Sequence, residues 1–307
     1  MAMVMLAKGA RGEIVRKVQR GLLGMGFTPG IIDGDFGNNT QRAVRDFQQA
    51  NLLELTGEVD VITWERLIGT PPPGTRDRSL QLTAAFEGHN FTLAQGNFDG
   101  AGITWGIIGF TLKHGELSKI IIEIHERDPE LVRQAFGVKT EELISIMTSS
   151  KTKQMAFADS ISLGTKKVKL AEPWRSAFGK FGEIPEVQAL QLELADRDYF
   201  QPALQTTQEF GLKTDLGIAL AFDIHVQNGG IKTSAREEIA GSLAEQHVAS
   251  EQEMRVIIAH AVADQARPEF REDVRARKLT IASGSGKVHG AIYLLRNWGL
   301  GESTFTN

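Results

Sequence analysis

Apolar positions near the start of the chain recur at helical spacing. Ile14, Val15, Val18, Leu22 and Leu23 form one stripe that ends at Gly26, and Ala43, Val44 and Phe47 form a second. Between them lies a turn-rich loop, Asp33-Gly34-Asp35-Phe36-Gly37-Asn38-Asn39-Thr40. Its spacing returns in Thr56-Gly57-Glu58-Val59-Asp60-Val61-Ile62-Thr63, after which Trp64 and Leu67 mark a third helix. Gly37 and Asp60 correspond in the repeat, and both residue types start helices well. Residues 6–69 therefore read as a small helical module.

From Ser79 onward the pattern is again mostly helical. Leu117 to His125 is so dense in isoleucine that it predicts a mostly buried helix. Helices are predicted over Lys139 to Thr148 and Lys151 to Leu163, and a long one over Pro185 to Phe210, broken near Pro202. Lys213 to Val226 is apolar on most sides and reads as the central buried helix, ended by Asn228-Gly229-Gly230. Two more follow near Thr233–Leu243 and His247–Ala266. Ser283-Gly284-Ser285-Gly286 is expected to be a turn that joins short strands before Gly290 to Leu295. The expected fold class is mainly α: a three-helix module, then a two-lobed helical domain with a small β-hairpin.

Pro71-Pro72-Pro73-Gly74-Thr75 punctuates this pattern. Three prolines favour an extended, semi-rigid spacer. The reading divides the chain into a module at 1–70, a linker at 71–78 and a second domain at 79–307. Few contacts are expected to cross the spacer. The composition is that of an ordinary globular protein, 41% hydrophobic and 23% charged. A formal charge of −4, without a basic stripe, argues against nucleic acid as a partner. No cysteine is present, so thiolate metal sites and disulfides are excluded. The N-terminus has no basic lead and too short an apolar run for a signal peptide, and no window reaches a membrane span.

Candidate chemistry concentrates in Phe86 to Phe110. Glycosidic bond cleavage needs a protonated carboxylic acid on one side of the bond and a carboxylate across from it. Glu87 follows an apolar run and Phe86, surroundings expected to raise its pKa and keep it protonated. Asp99 sits in a polar, glycine-bounded turn and is expected to stay ionised. Set against this, most Asp-Gly pairs only make turns. Glu116, at a helix start, is a candidate sugar contact, weighed against a carboxylate that serves its own helix. Arg197, Asp198 and Asp223 are candidates for a buried ion-pair network behind the site. His89, His114 and His125 lack the spacing of a helical metal-binding pair, and no His-Glu-x-x-His or Gly-x-Ser-x-Gly occurs. No cofactor and no metal are expected.

Two resemblances sharpen this reading. Lys8-Gly9, Gly12, Val18-Gln19, Leu22, Gly26-Phe27, Asp33 to Gly37, Thr40, Ala43-Val44, Phe47-Gln48, Gly57, Thr63-Trp64 and Leu67 resemble the three-helix peptidoglycan-binding domain. That resemblance implies a ligand surface around Asp33, Asp35, Phe36, Asn39 and Thr40. Glu87, followed by Asp99-Gly100-Ala101-Gly102-Ile103-Thr104-Trp105-Gly106, resembles the active-site signature of the chitosanase-like branch of the lysozyme superfamily. It implies Glu87 as general acid, Asp99 as general base and Thr104 as a holder of the attacking water, with inversion at the anomeric carbon. Asp196 to Pro202 and Ala221 to His225 extend the likeness. Two departures are visible: Ala101 stands where those chitosanases commonly carry Arg, and the Glu87–Asp99 interval is shorter, closer to that of phage lysozymes.

The combined expectation is a modular peptidoglycan hydrolase of endolysin type that cuts β-1,4 bonds, with the muramidase bond first. It would be a monomer, made in a bacterial cytoplasm and acting at the wall after release, without membrane insertion. The rival readings are a chitosanase and a non-catalytic wall-binding or virion protein.

Overall fold

The computed structural model describes residues 4–88 and 90–305. They form two compact units: residues up to Phe86 together with those from Asp198 onward, and Glu87–Arg197. Helices dominate both, as the apolar periodicity predicts.

The N-terminal module is built from helices Glu13–Gly24, Asn38–Ala50 and Val61–Ile68, with strand Val4–Leu6 antiparallel to Val59–Asp60. Val15, Val18, Leu22, Val44, Phe47 and Trp64 are buried, each large apolar side chain contributing about 1.5–3 kcal/mol. The internal repeat is a real structural repeat held by two buried glutamines. Gln19 Nε2 donates to Asp33 Oδ1 at 2.9 Å, Asp35 O at 3.1 Å and Thr40 Oγ1 at 3.2 Å, while its Oε1 accepts the Gly34 N–H at 2.9 Å. Gln48 does the same one loop later, with Thr56 Oγ1, Glu58 O, Thr63 Oγ1 and the Gly57 N–H. A buried amide is tolerated because its hydrogen-bonding capacity is met.

The module is not separated from the rest of its unit. Trp64 Nε1 donates to Thr70 O at 3.1 Å, tying the start of the proline stretch back, and a helix begins at once, Thr75–Glu87. Ala7 N–H donates to Asn297 O at 3.0 Å, Asn297 Nδ2 to Lys8 O at 2.9 Å, and Trp298 Nε1 to Arg11 O at 3.2 Å. Gln81 Oε1 accepts the Glu13 N–H at 2.8 Å, supplying a cap that Gly12 cannot provide. A Cβ on Gly12 would lie 2.6 Å from that oxygen, and the backbone there has φ +117°, so glycine suits both the turn and the approach. One apolar cluster runs from Leu6 and Ala10 through Leu82 and Phe86 to Tyr293, Leu295 and Trp298. The expected scarcity of contacts across the spacer is therefore not what the fold has. Proline composition reports local stiffness and says nothing about which surfaces later meet.

In the same unit, helices Thr75–Glu87 and Asp215–Asn228 are buried along most of their length. The predicted long helix over Pro185 to Phe210 is instead Pro185–Ala195, a π-helical stretch Asp196–Phe200, and Gln201–Phe210. Pro202 sits in the first turn of the last piece, where its missing N–H costs nothing. Helices Pro129–Phe136, Trp174–Glu183 and Arg271–Ser283 were not foreseen.

Glu87–Arg197 packs around an aromatic cluster. Trp105 stacks on Phe181 at 5.4 Å, and Phe136 meets Phe178 edge-on at 5.1 Å. The expected hairpin is a three-stranded antiparallel sheet, with Ala94–Gln95 and Phe110–Thr111 flanking Thr104–Trp105.

Candidate active site

Glu87 is the last residue of helix Thr75–Glu87 and its side chain is exposed. The apolar surroundings expected from its neighbours belong to the other face. Phe86 is 3% exposed and points into the core, and one helical step of 100° carries Glu87 outward.

Asp99 lies on the loop between the first two strands of the small sheet. Its Oδ1 accepts the Ala101 N–H at 2.9 Å, and the residue is otherwise exposed. Asn97 organises the loop: its Oδ1 accepts the Gly102 N–H at 2.8 Å and its Nδ2 donates to Asp159 Oδ1 at 2.8 Å. Gly102, with φ +81° and Leu112 Cβ 3.0 Å from where its own Cβ would stand, lets the loop turn tightly into the strand.

Thr104 is 6% exposed, pairs in register with Gln95 and Thr111, and its Oγ1 is buried with no hydrogen-bond partner among the described residues. Buried hydroxyls usually find one. Beneath it, Gln191 Oε1 accepts the Ile107 N–H at 2.9 Å, and its Nε2 donates to Phe91 O. This fully buried amide pins the sheet, and nothing in the sequence pointed to it.

Glu116 has a structural engagement. Its Oε2 accepts from Thr111 N at 2.9 Å and Thr111 Oγ1 at 3.3 Å, holding the strand that pairs with Thr104. In the N-terminal module Phe36 (2% exposed) and Thr40 (1%) turn inward, so they shape the loop from beneath. Asp33, Asp35 and Asn39 face outward. All three line a groove with Gln19, Pro29 and Ile31. The hydrogen bond from Gln19 holds the Asp33 carboxyl below the usual carboxylate range. Arg11 pairs with Asp35 at 3.2 Å.

The expected buried network of Arg197, Asp198 and Asp223 is not what the fold has: Arg197 and Asp198 are exposed, and Asp223 is buried against two cations the sequence reading did not bring to it. Arg277 Nη2 reaches Asp223 Oδ1 at 2.7 Å, Lys278 Nζ reaches Oδ2 at 2.5 Å, and Thr83 Oγ1 donates to Oδ1 at 2.9 Å. All three charged side chains are 0% exposed. Burial alone would raise the Asp223 pKa, but Arg277 and Lys278 hold it far below the ordinary value. Arg277 also lies over the Phe86 ring, 5.0 Å from its centroid. His89 lies outside the described residues.

A helical body carrying a glutamate at a helix end, then a small antiparallel sheet with an aspartate loop, is the architecture of lysozyme-like glycoside hydrolases. A chitosanase structure solved as a complex shares the fold, with a TM-score of 0.50 at 20% identity over 71% of this chain and 95% of that one. The glycosyl hydrolase family 46 profile matches residues 83–256, more than half of the chain, and the protein belongs to that family. A putative peptidoglycan binding domain profile matches residues 11–67.

A chitosanase of Bacillus subtilis (strain 168) is 27% identical over 156 residues, which is 50% of this chain and 50% of the relative. This chain thus spans about half the length of that curated relative. A Gynuella sunshinyii GH46 chitosanase in complex with chitotetraose aligns over 74% of this chain and 99% of its own, at 17% identity and a TM-score of 0.49.

Proposed function

We propose that this glycoside hydrolase cleaves the β-1,4 bonds of an aminosugar glycan of the chitosan type by an inverting mechanism. Glu87 protonates the leaving oxygen and Asp99 draws a proton from water held by Thr104. The observation that carries this assignment is the buried Thr104 hydroxyl, without a hydrogen-bond partner among the described residues, at the start of the strand that follows the Asp99 loop. A nucleophilic carboxylate would need no such water holder. Family membership and the Bacillus subtilis relative move the preferred substrate from the muramidase bond expected on sequence to chitosan.

A second reading, hydrolysis of the peptidoglycan glycan strand, is favoured by the N-terminal match and by Ala101 in the place of the usual chitosanase arginine. On either reading the N-terminal module concentrates the enzyme at the bacterial wall. Among the described residues no helix is long and apolar enough to cross a membrane. Parallel digestion of chitosan and purified sacculi decides between the substrates. Reducing ends from chitosan alone support the first reading; soluble muropeptides from sacculi alone establish the second.

A further inference from the structure

We propose that His289 and Tyr293 are positioning residues for the proton donor, acting through the last carbonyls of the helix that carries Glu87. The inference rests on the assignment of Glu87 above. The final turn of an α-helix leaves its carbonyls without intrahelical partners. Here two side chains of one hairpin fill that need: Tyr293 Oη donates to Ala85 O at 3.3 Å, and His289 Nδ1 to Phe86 O at 3.2 Å. His289 Nε2 lies 2.9 Å from Asp273 Oδ1 on helix Arg271–Ser283.

The hairpin is Ser285–Val288 paired with Ala291–Leu294, and its turn is His289-Gly290. Both turn residues have positive φ, +48° and +83°, the primed turn that asparagine and glycine ordinarily supply. Histidine is among the non-glycine residues that adopt such a φ most readily, and here its ring sits between Phe86 and Asp273. The Phe86 side chain is held as firmly as its carbonyl, with the Tyr293 ring 4.7 Å away and the Arg277 guanidinium on its face. The residue before Glu87 is thus fixed at both ends. The hairpin lies beyond the family-matched residues 83–256.

A donor displaced by about an ångström can lose up to about a hundredfold in rate while substrate still binds. The test is steady-state kinetics of full-length Tyr293→Phe, His289→Ala and the double variant, on whichever glycan the parent enzyme hydrolyses. The double variant should lose about tenfold or more in kcat with KM within about twofold. Tyr293→Phe keeps its ring on Phe86 and reports on the hydroxyl alone. His289→Asn places an amide N–H where Nδ1 stands, on a backbone asparagine favours, and should restore most of kcat. A merely structural role would lower the melting temperature and leave kcat of the folded fraction unchanged; that result overturns the proposal. Glu87→Gln, assayed alongside, separates the two claims. Full activity in it removes Glu87 as donor, whereas an inactive Glu87→Gln beside an unaffected double variant removes only the positioning role.

Discussion

Gln81 caps the first helix of the N-terminal module: its Oε1 accepts the Glu13 N–H at 2.8 Å, from a position earlier on the very helix that ends at Glu87. The module's first helix is therefore completed by the enzyme's own helix. Gln81→Ala should destabilise the chain by about 1 kcal/mol, the usual worth of a cap. Gly12→Ala should cost about as much or more, since it adds a side chain at positive φ against Gln81. Urea unfolding measures both, and an unchanged midpoint in either variant would contradict the capping role.

Deleting residues 1–74 should not yield a well-behaved enzyme. It uncovers Trp298, 2% exposed in the whole chain, and removes the partners of Asn297. Lower solubility and a melting temperature well below that of the full chain are expected. A soluble shortened protein with an unchanged melt would restore the picture of two independent modules.

Glu87→Gln and Asp99→Asn should each lower hydrolysis by about two or more orders of magnitude, because each keeps shape and loses proton transfer. Sacculus pull-down should be unaffected. Near-parental hydrolysis by either folded variant removes that residue from the mechanism.

Thr104→Val separates catalysis from stability. The variant deletes a buried hydroxyl that has no protein partner among the described residues, so stability should hold or rise by up to about 1 kcal/mol. Turnover should fall about tenfold or more as the water loses its holder. A destabilised variant with full turnover would mark the hydroxyl as structural. Proton NMR in the first minutes of digestion should show the α-anomer first; a β-anomer would mean that Asp99 attacks the sugar itself.

Acid should weaken the Asp223 network. Its folded pKa is depressed, so the stability it contributes is present above the unfolded value of 3.8 and is lost as pH falls through the folded one. Asp223→Asn should cost about 3–5 kcal/mol at neutral pH, because two buried cations lose their carboxylate. Denaturant titrations of parent and variant at pH 7 and pH 3 should show the gap narrowing at the lower pH. A gap that widens would reverse the sign argued here.

Much of this was legible in the chain. The Gln19 and Gln48 loops and the buried helix around Leu216 to Ile224 announce themselves through spacing and turn chemistry, whereas the Asp99–Thr104 segment stood out through its family resemblance. The helix Arg271–Ser283 did not, because Arg277 and Lys278 interrupt the buried face of Val274, Ile281 and Ala282. Gln191 and His289 were silent for a related reason. A polar residue whose partners are distant backbone groups leaves no local periodicity to read. The exposure of Glu87 was misjudged because adjacency in sequence places neighbours on different faces of a helix.

A binding module on a leash lets an enzyme forage across the volume the leash sweeps. The Ala7–Asn297 and Trp298–Arg11 bonds make a bracket of this one. If the module grips the wall as proposed, a bound copy cannot wander; it must let go before it can reach the next stretch of glycan. Turnover on an insoluble wall is then paced by release of the grip, and a tighter module would make a slower enzyme. The signature of such a worker is a field of separate pits, each as wide as one footprint, where a leashed enzyme would thin the wall evenly.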